Sequence, residues 1–140
     1  MKIDIQDVPH VALDFMNSDH EAFVVLFNEL AGLLPQPDLD RGRVSTLFAE
    51  LLQHCREHFA REEEQMETHS FPAYSCHKSE HQHVLAEMEK ELAAWQTKGD
   101  VQWLSDYLDQ LPEWLANHVA SMDTVTASYI SQVGGAAEAR

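Results

Sequence analysis

The sequence predicts an all-α protein: an antiparallel, up-down-up-down four-helix bundle over residues 17–133, with an N-terminal arm over 1–16 and a tail over 134–140. Three observations lead there. Apolar residues recur at intervals of three and four in four separate stretches, the repeat that gathers them on one helix face. Breakers at Pro35-Gln36-Pro37, Ser70-Phe71-Pro72 and Lys98-Gly99-Asp100 divide those stretches, and Gly134-Gly135 is expected to close the last. Connections this short favour antiparallel neighbours around one interior, and 140 residues suit a single domain, 1–140, better than two.

The first helix is expected to begin near Ser18, where Ser18 and Glu21 have capping-box spacing, and to run through Phe23, Phe27, Leu30 and Leu34. His20 would then sit in its first turn. The second should follow an Asp38 or Asp40 cap and carry Val44, Leu47, Phe48, Leu51, Leu52 and Phe59 before ending near His69. On the third, His77 and His81 prolong the apolar stripe of Val84, Leu85, Met88, Leu92 and Trp95, so both imidazoles should point inward. The fourth carries Leu104, Tyr107, Leu108, Leu111, Leu115, His118, Met122, Val125 and Tyr129 in helical phase. Pro112 lies inside that pattern, where it would cost a helix interior about 3 kcal/mol, so a kink or a restart is expected. Ala136 to Arg140 should fray.

Nine Lys and Arg against 24 Asp and Glu give a formal net charge of −15, which repels nucleic-acid phosphates and anionic membrane surfaces. Neither is expected as a partner. Acids interrupt the few apolar residues of Met1-Lys2-Ile3-Asp4-Ile5-Gln6-Asp7, unlike an export signal, and no run approaches the roughly 20 apolar residues a bilayer demands. The expectation is a soluble, cytoplasmic protein, a monomer or small homo-oligomer, with its protein partner unknown. Cys55 and Cys76 should both stay reduced and pack as small hydrophobes.

Seven side chains carry the chemistry: His20, His58, Glu62, His77, His81, His118 and Asp123. A mixed set of five histidines and two carboxylates favours iron over calcium, magnesium or structural zinc. His58 and Glu62 lie four residues apart, as do His77 and His81, so each pair projects from one helix face about 5–6 Å apart. Coincidence can produce such a pair among nine histidines, and His54 with His58 shows it. The helix face separates the cases, because burying Glu62 and several imidazoles among apolar residues is costly without a metal or hydrogen-bonded partners. Asp123, five residues beyond His118, is rotated to the flank of the stripe, and periodicity gives it no role.

The order of these residues resembles the hemerythrin family, specifically its single-domain bacterial members: a first-helix His, then His-x-x-x-Glu, His-x-x-x-His and His-x-x-x-x-Asp. The likeness covers most of the chain. It extends to His58-Phe59-Ala60-Arg61-Glu62-Glu63 with Met66, to Phe71-Pro72 ahead of His77, and to Trp114-Leu115 ahead of His118. The resemblance implies a non-haem di-iron centre: two iron ions with an oxo or hydroxo bridge. Glu62 and Asp123 would also bridge the irons, His77, His81 and His118 would bind one, and His20 and His58 the other. These ligands leave one octahedral position empty, on the second iron, where the family binds dioxygen reversibly. Phe23, Val24, Phe59, Trp114, Leu115 and Val119 occupy positions resembling the family's oxygen-pocket lining, and a dry pocket without acidic groups would keep bound, reduced oxygen from being protonated and lost. His10, His54, His69 and His83 fall outside the implied ligand set. The chain departs from the family pattern in three places. It reads Asn17-Ser18-Asp19 where an Asp-x-Gln-like approach to the first ligand is common, it lacks an early tryptophan, and it has Thr126 where an aromatic residue is frequent.

The leading function implied is dioxygen storage, transport, delivery or sensing, with no substrate turned over. The competing readings are a di-iron enzyme reducing peroxide or nitric oxide, which needs proton and electron delivery, and a sensory module acting on a separate partner.

Overall fold

The computed structural model describes residues 2–138. Helices α1 (Asp14–Leu33), α2 (Arg41–Thr68) and α3 (Tyr74–Lys98) are each continuous. The fourth rod is assembled from α4 (Val101–Leu108), α5 (Leu111–His118), a π-helical turn (Val119–Asp123) and α6 (Thr124–Glu138). α1 and α3 pack on α2, α4 turns back against α3, and α6 closes on α2, giving the antiparallel four-helix bundle that short connections impose. Its core includes Met16, Phe27, Leu30, Phe48, Leu51 and Leu108, none of which reaches solvent. Among the described residues no helix is long and apolar enough to cross a membrane.

α1 starts at Asp14, one turn earlier than the Ser18–Glu21 spacing predicts, and no side chain caps it. Asn17 accounts for the difference. Its amide is buried within the helix and grips the arm, accepting from the Val11 N–H at 2.9 Å and donating to the Val11 carbonyl at 2.9 Å. Asn28 treats Ile3 the same way, at 2.7 and 2.9 Å. Side-chain amides therefore satisfy backbone groups of an arm that has no secondary-structure partner, and Ile3 and Val11 join the core. The longer helix puts His20 in its second turn.

Other boundaries follow local chemistry. Asp40 caps α2 by accepting from the Arg43 N–H at 3.0 Å. Gly99 ends α3 at a left-handed φ of 59°, its N–H donating to the Trp95 carbonyl at 2.8 Å. The chain breaks at Asp109 and Gln110 and restarts with Pro112 in the first turn of α5, where a missing N–H costs no hydrogen bond.

Past His118 the predicted stripe fails. Met122 and Tyr129 are half-buried and Val125 is exposed, whereas Asp123, Thr126 and Ile130 are buried. Each inward position has moved one residue along the chain. The π turn is the cause: the Thr124 N–H bonds back five residues to the Val119 carbonyl, so this turn consumes one residue more than an α turn and shifts the phase of all that follows. Gly134-Gly135 does not close the rod either, since α6 runs through both to Glu138. A helical glycine costs about 1 kcal/mol relative to alanine, which weakens a helix without ending it. Of the tail expected to fray, Ala136 to Glu138 are helical, while Ala139 and Arg140 lie outside the described residues.

Candidate metal centre

Each rod contributes to one buried cluster. α1 supplies His20, α2 supplies His58 and Glu62, α3 supplies His77 and His81, and the fourth rod supplies His118 and Asp123, all of them buried. Their ligand atoms form two groups, each with all its atoms within 4.8 Å of one another. One comprises Glu62, His77, His81, His118 and Asp123; the other comprises His20, His58, Glu62 and Asp123. The two carboxylates belong to both.

Asp123 reaches the cluster through the π turn. Five residues on a regular α-helix would swing it away from His118, but the wider turn returns it to the same face, with Oδ1 3.1 Å from His118 Nε2. Its oxygens also lie 3.0 Å from His20 Nε2 and 3.0 Å from His77 Nε2. Glu62 stands 2.5 Å from His58 Nε2, 3.3 Å from His81 Nε2 and 3.4 Å from His77 Nε2.

Among the described residues, both Glu62 oxygens, Asp123 Oδ1 and His81 Nε2 are fully buried and have no aligned hydrogen-bond partner, close as their neighbours are. Leaving ionised oxygens in that state costs several kcal/mol, and cations placed between the groups remove the cost. The nitrogen and oxygen donors thus fit a metal centre.

Protons occupy part of that role in the metal-free chain. Burial alone would lower the pKa of His58, but the carboxylates of Glu62, Asp19 and Asp123 raise it to about 9. Burial and the Asp123 charge would raise Glu62, yet His58 and His81 hold it near 2. Asp123, against the effect of burial, is held well below the carboxylate range by His118, His20 and His77. Because His58 is raised from 6.5, its protonated form stabilises the metal-free fold fully below about 6.5, and that contribution disappears as pH rises through about 9. Metal must displace this proton. Metal uptake near pH 7.5 is therefore expected to release about one proton from His58, and apparent affinity should climb toward pH 9; titration in weak buffer with a pH indicator checks both. Uptake without proton release would contradict this electrostatic account.

Three ligand rings are oriented from behind. His58 Nδ1 meets Asp19 Oδ2 at 2.7 Å, His77 Nδ1 meets Thr126 Oγ1 at 2.8 Å, and His81 Nδ1 meets Glu63 Oε2 at 3.1 Å. Engaging Nδ1 fixes each ring so that Nε2 faces the cluster. Periodicity had given Glu63 no role, and Asp19 and Thr126 stood out only as departures. A polar residue one turn from a ligand, or beside one, was the available signal.

A cavity of about 20 Å³ adjoins the cluster, walled by Phe23, Phe59, Trp114 and Leu115 and reaching His20, His58, His118 and Asp123. That space holds roughly one water-sized or two-atom molecule. Of the six expected pocket positions, Val24 and Val119 are buried in the core but do not line this cavity. Nor is the wall wholly apolar, since Asp19 and His54 join it. Burial would raise Asp19, but hydrogen bonds from His58 and Arg61 bring it down to about 2, which keeps it ionised. Cys55 also lines the cavity, with burial pushing its thiol up to about 12 and leaving it inert. Cys76 is exposed, contrary to the packing role expected of it, because it falls on the outer flank of α3 beside inward-facing His77. His10, His54, His69 and His83 stay outside the cluster, His54 donating from Nε2 to the Asp19 carbonyl at 2.9 Å.

A family model described as the Hemerythrin HHE cation binding domain matches residues 11–130. A bacteriohemerythrin of Ralstonia nicotianae is 31% identical over 118 residues, covering 84% of this chain and 81% of its own. One from Aquifex aeolicus is 31% identical over 117 residues, covering 83% and 88%, and one from Stenotrophomonas maltophilia is 27% identical over 126 residues, covering 89% and 79%. The crystal structure of a hemerythrin point mutant matches with a TM-score of 0.75 at 19% identity, covering 94% of this chain and 97% of that one, a likeness of fold. Since the family match runs through all four rods and over nearly the whole cluster-bearing bundle, this chain belongs to the hemerythrin family.

Proposed function

We propose that the protein binds dioxygen reversibly at a non-haem di-iron centre, serving oxygen storage, transport, delivery or sensing without turning over a substrate. Glu62 and Asp123, which belong to both ligand groups, would serve both irons. His77, His81 and His118 would hold one iron, and His20 and His58 the other. When bound, the iron pair supplies the electrons that reversible dioxygen binding requires. The observation that carries the reading is an asymmetry. The two ligand groups share both carboxylates but differ in histidine number, and the 20 Å³ cavity touches both histidines of the smaller group but only His118 of the larger.

The chain's own residues suit binding more than turnover. Phe23, Phe59, Trp114 and Leu115 give the cavity apolar walls that disfavour water. Asp19, the carboxylate in its wall that is not a ligand, is ionised and engaged by His58 and Arg61, so it donates no proton at neutral pH. Peroxide or nitric oxide reduction needs that proton.

The test is to reduce the iron-loaded protein without oxygen, admit oxygen, record the visible spectrum, remove oxygen and repeat. A charge-transfer band that appears and disappears over several cycles supports the reading. Irreversible conversion to ferric protein, or catalytic consumption of added peroxide or nitric oxide, rejects it. Metal analysis finding one zinc in place of two irons rejects the site itself.

A further inference from the structure

We propose that Asp19 is a positioning residue for one half of the metal pair, orienting His58 and strengthening it as a donor to the ion it shares with His20. The inference rests on the di-metal reading above. Asp19 precedes His20 on α1, yet its carboxylate crosses to α2 to meet His58 at 2.7 Å, and its side chain keeps only 16% of its exposure. Arg61 holds the same oxygen, with Nε at 3.2 Å and Nη2 at 2.7 Å. His54 donates to the backbone carbonyl of Asp19 at 2.9 Å. Residues 54, 58 and 61 share one face of α2, so three contacts from one helix converge on one residue of another.

An ionised carboxylate only accepts hydrogen bonds, so the shared proton belongs to His58 Nδ1. Once a metal replaces the other ring proton, Nε2 presents its lone pair to the cluster, and the negative charge behind the ring makes that lone pair more basic. No comparable support exists for the second histidine of this half, because His20 Nδ1 is buried without a hydrogen-bond partner among the described residues. The three-histidine half draws on Glu63 and Thr126 instead. Removing Asp19 should therefore affect the two metal positions unequally.

Cobalt(II) titration of the full-length, metal-free protein against a competing chelator reads this directly. The unaltered chain is expected to take up two equivalents. Asp19→Ala should weaken one of them by about 10- to 100-fold, shift that equivalent's visible bands, and leave the other within about twofold. Asp19→Asn retains an acceptor oxygen without the charge and should fall between. Arg61→Gln leaves the Asp19–His58 contact in place and should lose less than Asp19→Ala. Equal weakening of both equivalents, or none, in variants whose far-ultraviolet circular dichroism is unchanged overturns the proposal. Failure of the unaltered chain to take up two equivalents overturns the di-metal reading on which it stands.

Discussion

Glu62→Ala is expected to cost the protein both metal ions. Glu62 is fully buried, its oxygens lie within 3.4 Å of three histidines, and it belongs to both ligand groups. Removing an outer partner of a metal ligand costs about 10- to 100-fold in affinity, so removing a ligand shared by two ions should exceed about 100-fold at each. Iron content after dialysis should fall close to zero. The matched control is His54→Ala, one turn from His58 but bonded to the Asp19 carbonyl and outside both groups, which should keep its iron. Equal iron loss from the two variants would mean that the wrong side chains have been taken as ligands.

Phe59→Ala should give the largest loss of stability among the cavity-wall variants. The ring is 4% exposed and stacks on His81 with centroids 3.9 Å apart and planes within 6°. Truncating a buried phenylalanine costs about 3–5 kcal/mol, the transfer of the ring plus the void left behind. Urea unfolding of the metal-free protein measures it, and a loss below about 1 kcal/mol would show that the neighbours collapse into the space. The same void enlarges a cavity of about 20 Å³, admitting several waters where one fits now. Irreversible oxidation of the iron-loaded variant should accelerate accordingly, and an unchanged rate would argue against water exclusion as this ring's role.

Much of this molecule was legible in its sequence, because most of its positions obey one helical period. His58, Glu62, His77 and His81 all lie on regular helices, and their spacing alone places them inward. Asp123 was not legible by that route. Nothing in periodicity announces a π turn, which relaxes the backbone ladder to meet a need of the surrounding fold, and every position beyond His118 was consequently misplaced by one. Family order supplied Asp123; physics explains it only once the turn is seen. The Ser18–Glu21 spacing misled for a related reason: the helix already runs from Asp14, and Asn17, inside it, bonds an arm whose course the sequence does not reveal. The breakers behaved according to their severity, with Gly99 at a positive φ ending a helix and Gly134 carried along within one.

The π turn also decides which accidents of copying this region can survive. A substitution at Ala120 or Ser121 falls on an exposed side chain and leaves the register alone. Loss of one codon between His118 and Asp123 would let the segment revert to a regular α-helix, with Asp123 now four residues beyond His118 and every later side chain keeping its present bearing. A gained codon, one residue more than the π turn absorbs, would instead rotate Thr126 away from His77 and Ala127 and Ile130 out of the core they now occupy. The reading frame of the helix, more than the identity of its exposed residues, is what this stretch has to preserve.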